Sequence, residues 1–209
     1  ASDIANFQVF VVRDKLNSKR AKFVLKTYDN SIALSSSFFP EVYANENWNL
    51  AVRVKPQKYP FLGNVVEETD PLYQIEFYGV NHAFGTVNAE FSLSSVLNYA
   101  SGSAFMTKSK RFYVGAHRTN FTGSVLQRSD VKIGGFRMYN DYLSNESIKN
   151  HNLDPLSFGL DKTYKSSTMF ATDMSDKHVI SSDLIAINWD FETVSGSDSS
   201  GAFIVEDVS

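Results

Sequence analysis

The chain has 209 residues, of which 43% are hydrophobic and 21% are charged, and this ordinary composition excludes disorder over its whole length. The formal net charge of −3 argues against nucleic acid as the main partner, because neutralising its phosphates needs a basic surface. Because the sequence contains no cysteine, disulfides, thiolate zinc sites and cysteine nucleophiles are excluded together. No apolar run approaches the ~20 residues that span a bilayer, so no membrane partner is expected either.

Strand patterns dominate the first half of the chain. Residues 7–12 and 22–28 are rich in aromatic and β-branched side chains, which favour a pleated, half-buried surface. Residues 48–54, closed by Pro56, alternate between apolar and polar side chains, and residues 87–93 do the same. Further strands are predicted at residues 73–78 and 111–114.

Clusters of turn-forming residues separate these strands. They lie at residues 29–31, 57–60, 79–82, 101–103 and 119–123. Strands that recur at roughly ten-residue intervals with turns between them are typical of a β-sandwich or barrel. A parallel α/β fold would need long helical stretches between its strands, and the sequence shows none.

A short helix is predicted near residues 145–151. Ser144 is placed to cap its first turn, and Leu143 and Ile148 occupy the two positions of a hydrophobic staple. The helix should stop before Pro155, because the residue before a proline avoids the helical conformation. A second helical turn is predicted at residues 93–99.

The segment at residues 131–138 changes its alternation at Gly134 and Gly135, which predicts a β-bulge in a strand. The last fifty residues differ from the rest in character. A polar connector at residues 161–182 precedes a strand at 184–191, a loop at 195–201 and a strand at 202–205. The expected division is therefore a β-sandwich at residues 1–160 and a connector with C-terminal strands at residues 161–209.

Three segments resemble the closing half of laminin-G-like domains, which belong to the concanavalin A-like jelly-roll superfamily. They are residues 112–115 (Phe-Tyr-Val-Gly), 121–123 (Phe-Thr-Gly) and 131–144, which include a Tyr-Asn-x-x-Leu-Ser turn before the short helix. Residues 48–54 are similar to an upstream strand of the same fold. The resemblance implies an all-β, two-sheet antiparallel jelly-roll sandwich with one short helix near residues 145–151.

Residues 189–192 and 197–201 resemble the opening of such a domain. The C-terminal strands are therefore either the start of a next repeat in a tandem array or the closing strands of the same sandwich. The serine- and asparagine-rich, cysteine-free texture is similar to structural proteins of marine tailed phages. That likeness implies an outward-facing location on a virion.

The residue patterns of glycan-cleaving enzymes are missing. Glycoside hydrolysis needs two carboxylates at a fixed separation, and the acidic cluster of Glu67, Glu68 and Asp70 has the wrong spacing for alternate positions of a strand. A polysaccharide-lyase likeness at residues 73–77 fails because Glu76 replaces the required histidine. We therefore expect a protein that is not an enzyme. The laminin-G-like resemblance adds a weak expectation of Ca²⁺, with the loop acids Asp70, Asp130 and Asp198 as candidate ligands.

Two predicted loops combine aromatic and polar side chains in the manner of a sugar site. Their candidate ligand-binding residues are Tyr78, Asn81, His82, His117, Arg118 and Asn120. The expected function is a non-catalytic recognition or adhesion module of a virion protein that binds host surface glycans. The alternatives are a structural spacer or decoration that contacts other virion proteins and, third, a divergent glycan-cleaving enzyme. A homo-oligomer is also an open alternative.

Overall fold

The computed structural model describes residues 7–27, 32–58, 71–107, 116–118, 125–128, 132–153, 185–192, 194–197, 203–205 and 207. In these ranges the chain is an all-β protein with two short helices. The strands are β1 (Phe7–Arg13), β2 (Ala21–Thr27), β3 (Ala33–Ser35), β4 (Trp48–Pro56), β5 (Tyr73–Ala83), β6 (Thr86–Leu97), β7 (Ala116–Arg118), β8 (Val125–Arg128), β9 (Phe136–Tyr139), β10 (Ile185–Trp189), β11 (Val194–Ser197) and β12 (Phe203–Val205). The helices are α1 (Tyr99–Thr107) and α2 (Asn145–Leu153). Neither helix has the length and apolar content needed to cross a bilayer, and this holds for the described ranges.

The chain divides into two compact units. The first contains Ala1–Lys108 and Tyr142–Ile180, and the second contains Ser109–Asp141 and Ser181–Ser209. In the second unit, β9 from before residue 160 pairs with β10 from after it. The predicted division into residues 1–160 and 161–209 stays a prediction.

The first unit is a sandwich of two antiparallel three-stranded sheets with orders β1-β2-β3 and β4-β5-β6. Alternate side chains of β2 point into the interior, where Phe23 and Leu25 are buried. They pack against apolar side chains of the second sheet, including Ile75, Phe77 and Phe91. The predicted two-sheet antiparallel sandwich is confirmed, whereas the jelly-roll connectivity stays a prediction.

Aromatic rings fill one end of this interior. The ring of Phe23 lies 4.6 Å from the ring of Trp48 and 5.4 Å from that of Phe91, measured between centroids. Phe39 completes the group at 4.8 Å from Trp48. Contacts at these distances stabilise a core beyond the burial of area alone.

The other face of the β4-β5-β6 sheet is covered by the segment at residues 142–153. Ile148 of α2 packs on Tyr78 and Val80 of β5, with Leu143 beside them. The predicted cap of α2 is confirmed, because the Oγ of Ser144 accepts a hydrogen bond from the backbone N–H of Ser147 at 3.1 Å. β5 is consequently buried on both faces along its centre.

The predicted turn at residues 79–82 is wrong, because these residues continue β5. Glycine and asparagine favour turns, but packing against neighbouring strands keeps these residues in β5. Gly79 lies so close to Phe91 and Leu50 that a Cβ would collide with both side chains. The glycine is needed for close packing in the sheet rather than for a turn.

The predicted helical turn at residues 93–99 and the predicted turn at 101–103 are also wrong. β6 continues to Leu97, and α1 then covers residues 101–103. The Oδ1 of Asn98 accepts from the N–H of Ser101 at 2.8 Å and so caps the helix. Gly102 is buried against the ring of Tyr73, which leaves no room for a Cβ.

Two expectations fail in the second unit. Gly134 and Gly135 precede β9 and form no bulge in a strand, since pairing begins only at Phe136. The predicted loop at 195–201 begins with part of β11, where Gly196 has a φ of 64° and lies at a register shift. A glycine with positive φ permits a bulge there without ending the pairing. The strands predicted at 7–12, 22–28, 48–54, 73–78, 87–93 and 202–205 are confirmed over their described residues, and the strand predicted at 184–191 is observed as Ile185–Trp189. The strand predicted at 111–114, the turns at 29–31 and 119–123 and the connector at 161–182 lie outside the described residues.

The β5–β6 hairpin turns through two residues that both have positive φ, Phe84 at 53° and Gly85 at 78°. This type of turn favours asparagine before glycine, whereas an aromatic residue there is strained by about 1–2 kcal/mol. We expect Phe84→Asn to raise the free energy of unfolding by about 0.5–1 kcal/mol, measured by urea denaturation. The same replacement at Phe38, which lies outside any turn of this kind, should not stabilise the protein. A Phe84→Asn variant that is less stable than the wild type would contradict the claim that Phe84 strains the turn.

Candidate functional site

A row of polar side chains crosses the outer face of the β4-β5-β6 sheet. Arg53 of β4 lies opposite Glu76 of β5, and Glu76 lies opposite Ser94 of β6. In the next row Tyr78 lies opposite Ser92. Because side chains alternate along each strand, all five belong to the face that does not line the aromatic core.

These side chains form a groove with a volume of about 420 Å³. Hydroxyl, amide and charged groups predominate in its lining. The lining residues are Arg53, Gln74, Glu76, Ser92, Ser94, Tyr142, Ser144 and Asn145. The segment before α2 thus supplies one wall and the sheet supplies the floor.

Arg53 forms the centre of the floor and is fixed from several directions. Its Nη2 lies 3.0 Å from Oε2 of Glu76, and its Nη1 donates to the backbone carbonyl of Leu143 at 2.8 Å. The guanidinium also lies over the ring of Tyr142, 4.9 Å from the centroid. Its Nε is buried and has no hydrogen-bond partner in the described part of the chain. The side chain of Arg53 is only 7% exposed, so this ion pair is a buried one.

Glu76 receives three polar contacts. Besides Arg53, the Nζ of Lys55 lies 3.4 Å from its Oε1, and the hydroxyl of Tyr142 donates to its Oε2 at 2.8 Å. Burial, reinforced by this hydrogen bond, raises the pKa of Tyr142 above its ordinary value, so the phenol stays protonated and remains a donor. Two cations around one carboxylate leave this floor with a net positive charge.

A second polar network lies next to the groove on the same face. The hydroxyl of Tyr78 donates to Oε2 of Glu90 at 2.9 Å, and the Nζ of Lys149 lies 3.3 Å from the same oxygen. The bond from Tyr78 lowers the pKa of Glu90, and burial raises the pKa of Tyr78. Glu90 therefore stays ionised and ties α2 to β6 through Lys149.

The structure does not support the first predicted sugar-binding loop as a loop. Tyr78 is 1% exposed and Asn81 is 2% exposed, because both lie within β5. Residues of the segment 142–153 pack on Tyr78. Asn81 donates to the carbonyl of Asn47 and accepts from Asn88, so its amide serves the sheet. His82 is half-buried with its Nδ1 2.7 Å from Nδ2 of Asn152, and burial lowers its pKa below the ordinary value.

The other predicted site residues belong to the second predicted sugar-binding loop and to the candidate calcium ligands. His117 and Arg118 belong to β7, which pairs with β8, and Asn120 lies outside the described residues. The candidate calcium ligands Asp70, Asp130 and Asp198 lie outside them as well. Among the described residues, no group of three or more histidines and acids is placed to hold a metal.

Sequence reasoning missed the groove itself. Arg53 and Lys55 do occur at alternate positions of a predicted strand, which indicates a polar face. The pattern does not identify the residue that bonds to Glu76 in the groove, because Tyr142 lies 66 residues from Glu76 in the chain. Nothing local in the sequence joins the two.

The comparisons with known proteins give no relative. No protein-family model matches the chain, and no curated protein and no solved structure matches it significantly.

Proposed function

We propose that this chain is a non-catalytic recognition module that binds a carbohydrate, such as a host surface glycan, in the groove on the β4-β5-β6 sheet. The observation that carries the proposal is the groove of about 420 Å³, whose lining is made of hydrogen-bonding side chains. Sugar hydroxyls both donate and accept hydrogen bonds, and a set of fixed polar groups orients them.

The floor of the groove is preorganised. Arg53, Glu76 and Tyr142 hold one another through bonds of 2.8–3.0 Å, so a ligand would meet a rigid polar surface. Ser92 and Ser94 on β6 are exposed and leave their hydroxyls open to such a ligand. Because the charged groups on the floor are already fixed, few side chains must become ordered when a ligand binds. This lowers the entropic cost of binding.

The contacts of the Glu76 carboxylate favour binding of a carbohydrate over its hydrolysis. Glu76 is the carboxylate among the groove-lining residues, and Arg53, Lys55 and Tyr142 already engage it. Hydrolysis of a glycoside requires a pair of carboxylates, one of them a proton donor. The laminin-G-like likeness and the virion setting rest on the sequence resemblance and belong to the same proposal.

The test is a glycan array probed with the full chain and with Ser94→Trp. The indole should fill the groove beside Glu76, which Arg53 and Tyr142 hold in place. We therefore expect at least about tenfold weaker binding to every glycan retained by the wild type. Ser37→Trp, at an exposed serine in the segment that follows β3, is the matched control and should bind as the wild type does.

Thermal unfolding of both variants verifies that the fold is kept. Binding that survives Ser94→Trp would place the ligand elsewhere and contradict the proposal. A wild-type chain that retains no glycan would favour the structural alternative, in which the domain contacts other proteins.

A further inference from the structure

Two hairpins end at the same end of the sandwich. The ring of Phe23, near the start of β2, contacts Trp48, and Trp48 lies opposite Asn81 near the end of β5. At the other end, Phe7 contacts Phe105 of α1. The β1–β2 connection at residues 14–20 and the β5–β6 turn therefore project in the same direction, from sheets that pack about 10 Å apart.

Both tips carry a large apolar side chain in solvent. Leu16 in the first tip is 91% exposed, and Phe84 in the second is fully exposed at 105%. Val12 and Val87, which flank the tips, are also exposed. Single exposed apolar residues are ordinary, but two large ones on tips at the same end of the sandwich call for an explanation.

The backbone conformation of Phe84 also indicates a role for its exposed ring. The turn would suit asparagine, yet it holds an aromatic residue at a φ of 53° whose ring buries nothing within the chain. Strain kept without any packing benefit indicates a function at that position. The function must use the ring outside the fold.

Cationic side chains surround the first tip. The hairpin carries one acidic side chain, Asp14, and five cationic ones, which are Arg13, Lys15, Lys19, Arg20 and Lys22. The neighbouring loop, which is bonded to the hairpin through Tyr43 N–H and the carbonyl of Lys19, adds Glu41 and Glu46. The end of the sandwich thus remains cationic, although the whole chain is acidic.

We propose that this end of the sandwich docks on an anionic lipid bilayer, with Leu16 and Phe84 entering the boundary between headgroups and acyl chains. Lys15 and Lys19 are exposed and would meet the lipid phosphates. Two protruding tips with basic flanks fit a flat, deformable, negatively charged surface, whereas a protein partner would have to supply two matching pockets. The lack of a long apolar run excludes a spanning segment and leaves surface contact open.

The test is sedimentation of the full chain with vesicles of phosphatidylcholine, alone or mixed with phosphatidylglycerol. We expect binding to the mixed vesicles that weakens as salt is raised, because the electrostatic part is screened. The double variant Leu16→Ser, Phe84→Asn should bind about tenfold more weakly, since it removes the inserted apolar area.

Asparagine suits the turn at position 84, and Leu16 is 91% exposed, so neither replacement is expected to unfold the chain. Met106→Ser, at a 51% exposed residue of α1 at the other end, is the matched control and should bind as the wild type does. Ser94→Trp should also leave vesicle binding unchanged, which separates this surface from the groove.

Three outcomes would overturn the proposal. One is a wild-type chain that does not sediment with mixed vesicles, and another is equal binding to neutral vesicles at every salt concentration. The third is a double variant that binds as well as the wild type.

Discussion

Replacing Arg53 with methionine is expected to lower the free energy of unfolding by about 3–5 kcal/mol, because it leaves a buried carboxylate without its main partner. The side chains of Arg53 and Glu76 are 7% and 12% exposed. The carbonyl of Leu143 would lose its donor at the same time, which adds the cost of an unsatisfied polar group. Urea denaturation of the variant measures the loss.

Arg20→Met is the matched control for this prediction. Arg20 pairs with Asp14 at a similar distance of 3.3 Å, but its side chain is 52% exposed. Exposed pairs contribute about 0–1 kcal/mol, so the control should be nearly as stable as the wild type. Equal losses in the two variants would mean that the floor of the groove is solvated rather than buried.

A double variant separates the contribution of the Arg53–Glu76 ion pair to stability from that of its surroundings. Replacing Arg53 with methionine and Glu76 with leucine removes both buried charges together. Because an apolar pair of similar volume avoids the desolvation penalty, much of the stability lost in Arg53→Met should return. The double variant should still fail to bind any ligand of the groove.

Replacing Phe23 with alanine is expected to cost about 3–5 kcal/mol, because it opens a cavity between the two sheets. The residue is 1% exposed, and its ring contacts those of Trp48, Phe39 and Phe91. These neighbours come from the second sheet and from the segment before it, so they cannot all move in to fill the space. The loss is again measured by urea denaturation.

Phe10→Ala is the control for the core. Phe10 lies on β1, only half-buried, with the ammonium of Lys26 over its ring. Its removal should cost about 1 kcal/mol, the ordinary effect of a substitution near the surface. If Phe23→Ala were no more destabilising than this control, the two sheets would not share an interior.

Local rules explain what the sequence could predict. β4 alternates cleanly, because one of its faces lines the core at Trp48, Leu50 and Val52. The start of α2 was predictable because its cap and first turn are contiguous in the chain, from Ser144 to Ser147. Such signals need no knowledge of distant contacts.

Long-range packing explains what the sequence could not. Residues 79–82 contain a glycine and an asparagine, which favour a turn, but α2 packs on Val80 and Gly79 packs closely against Phe91 and Leu50, so these residues continue β5. The same covering segment brings Tyr142 to Glu76 and creates the groove. A pattern read along the chain does not reveal which sheet face a later segment will cover.

The most direct test of a ligand site on this sheet is a ¹H–¹⁵N NMR titration of the full chain with an oligosaccharide retained on the array. We expect the largest chemical-shift changes at Gln74, Ser92, Ser94 and Asn145, which line the groove. Shifts confined to β1, β2 and β3, or no shifts at a saturating concentration, would contradict it.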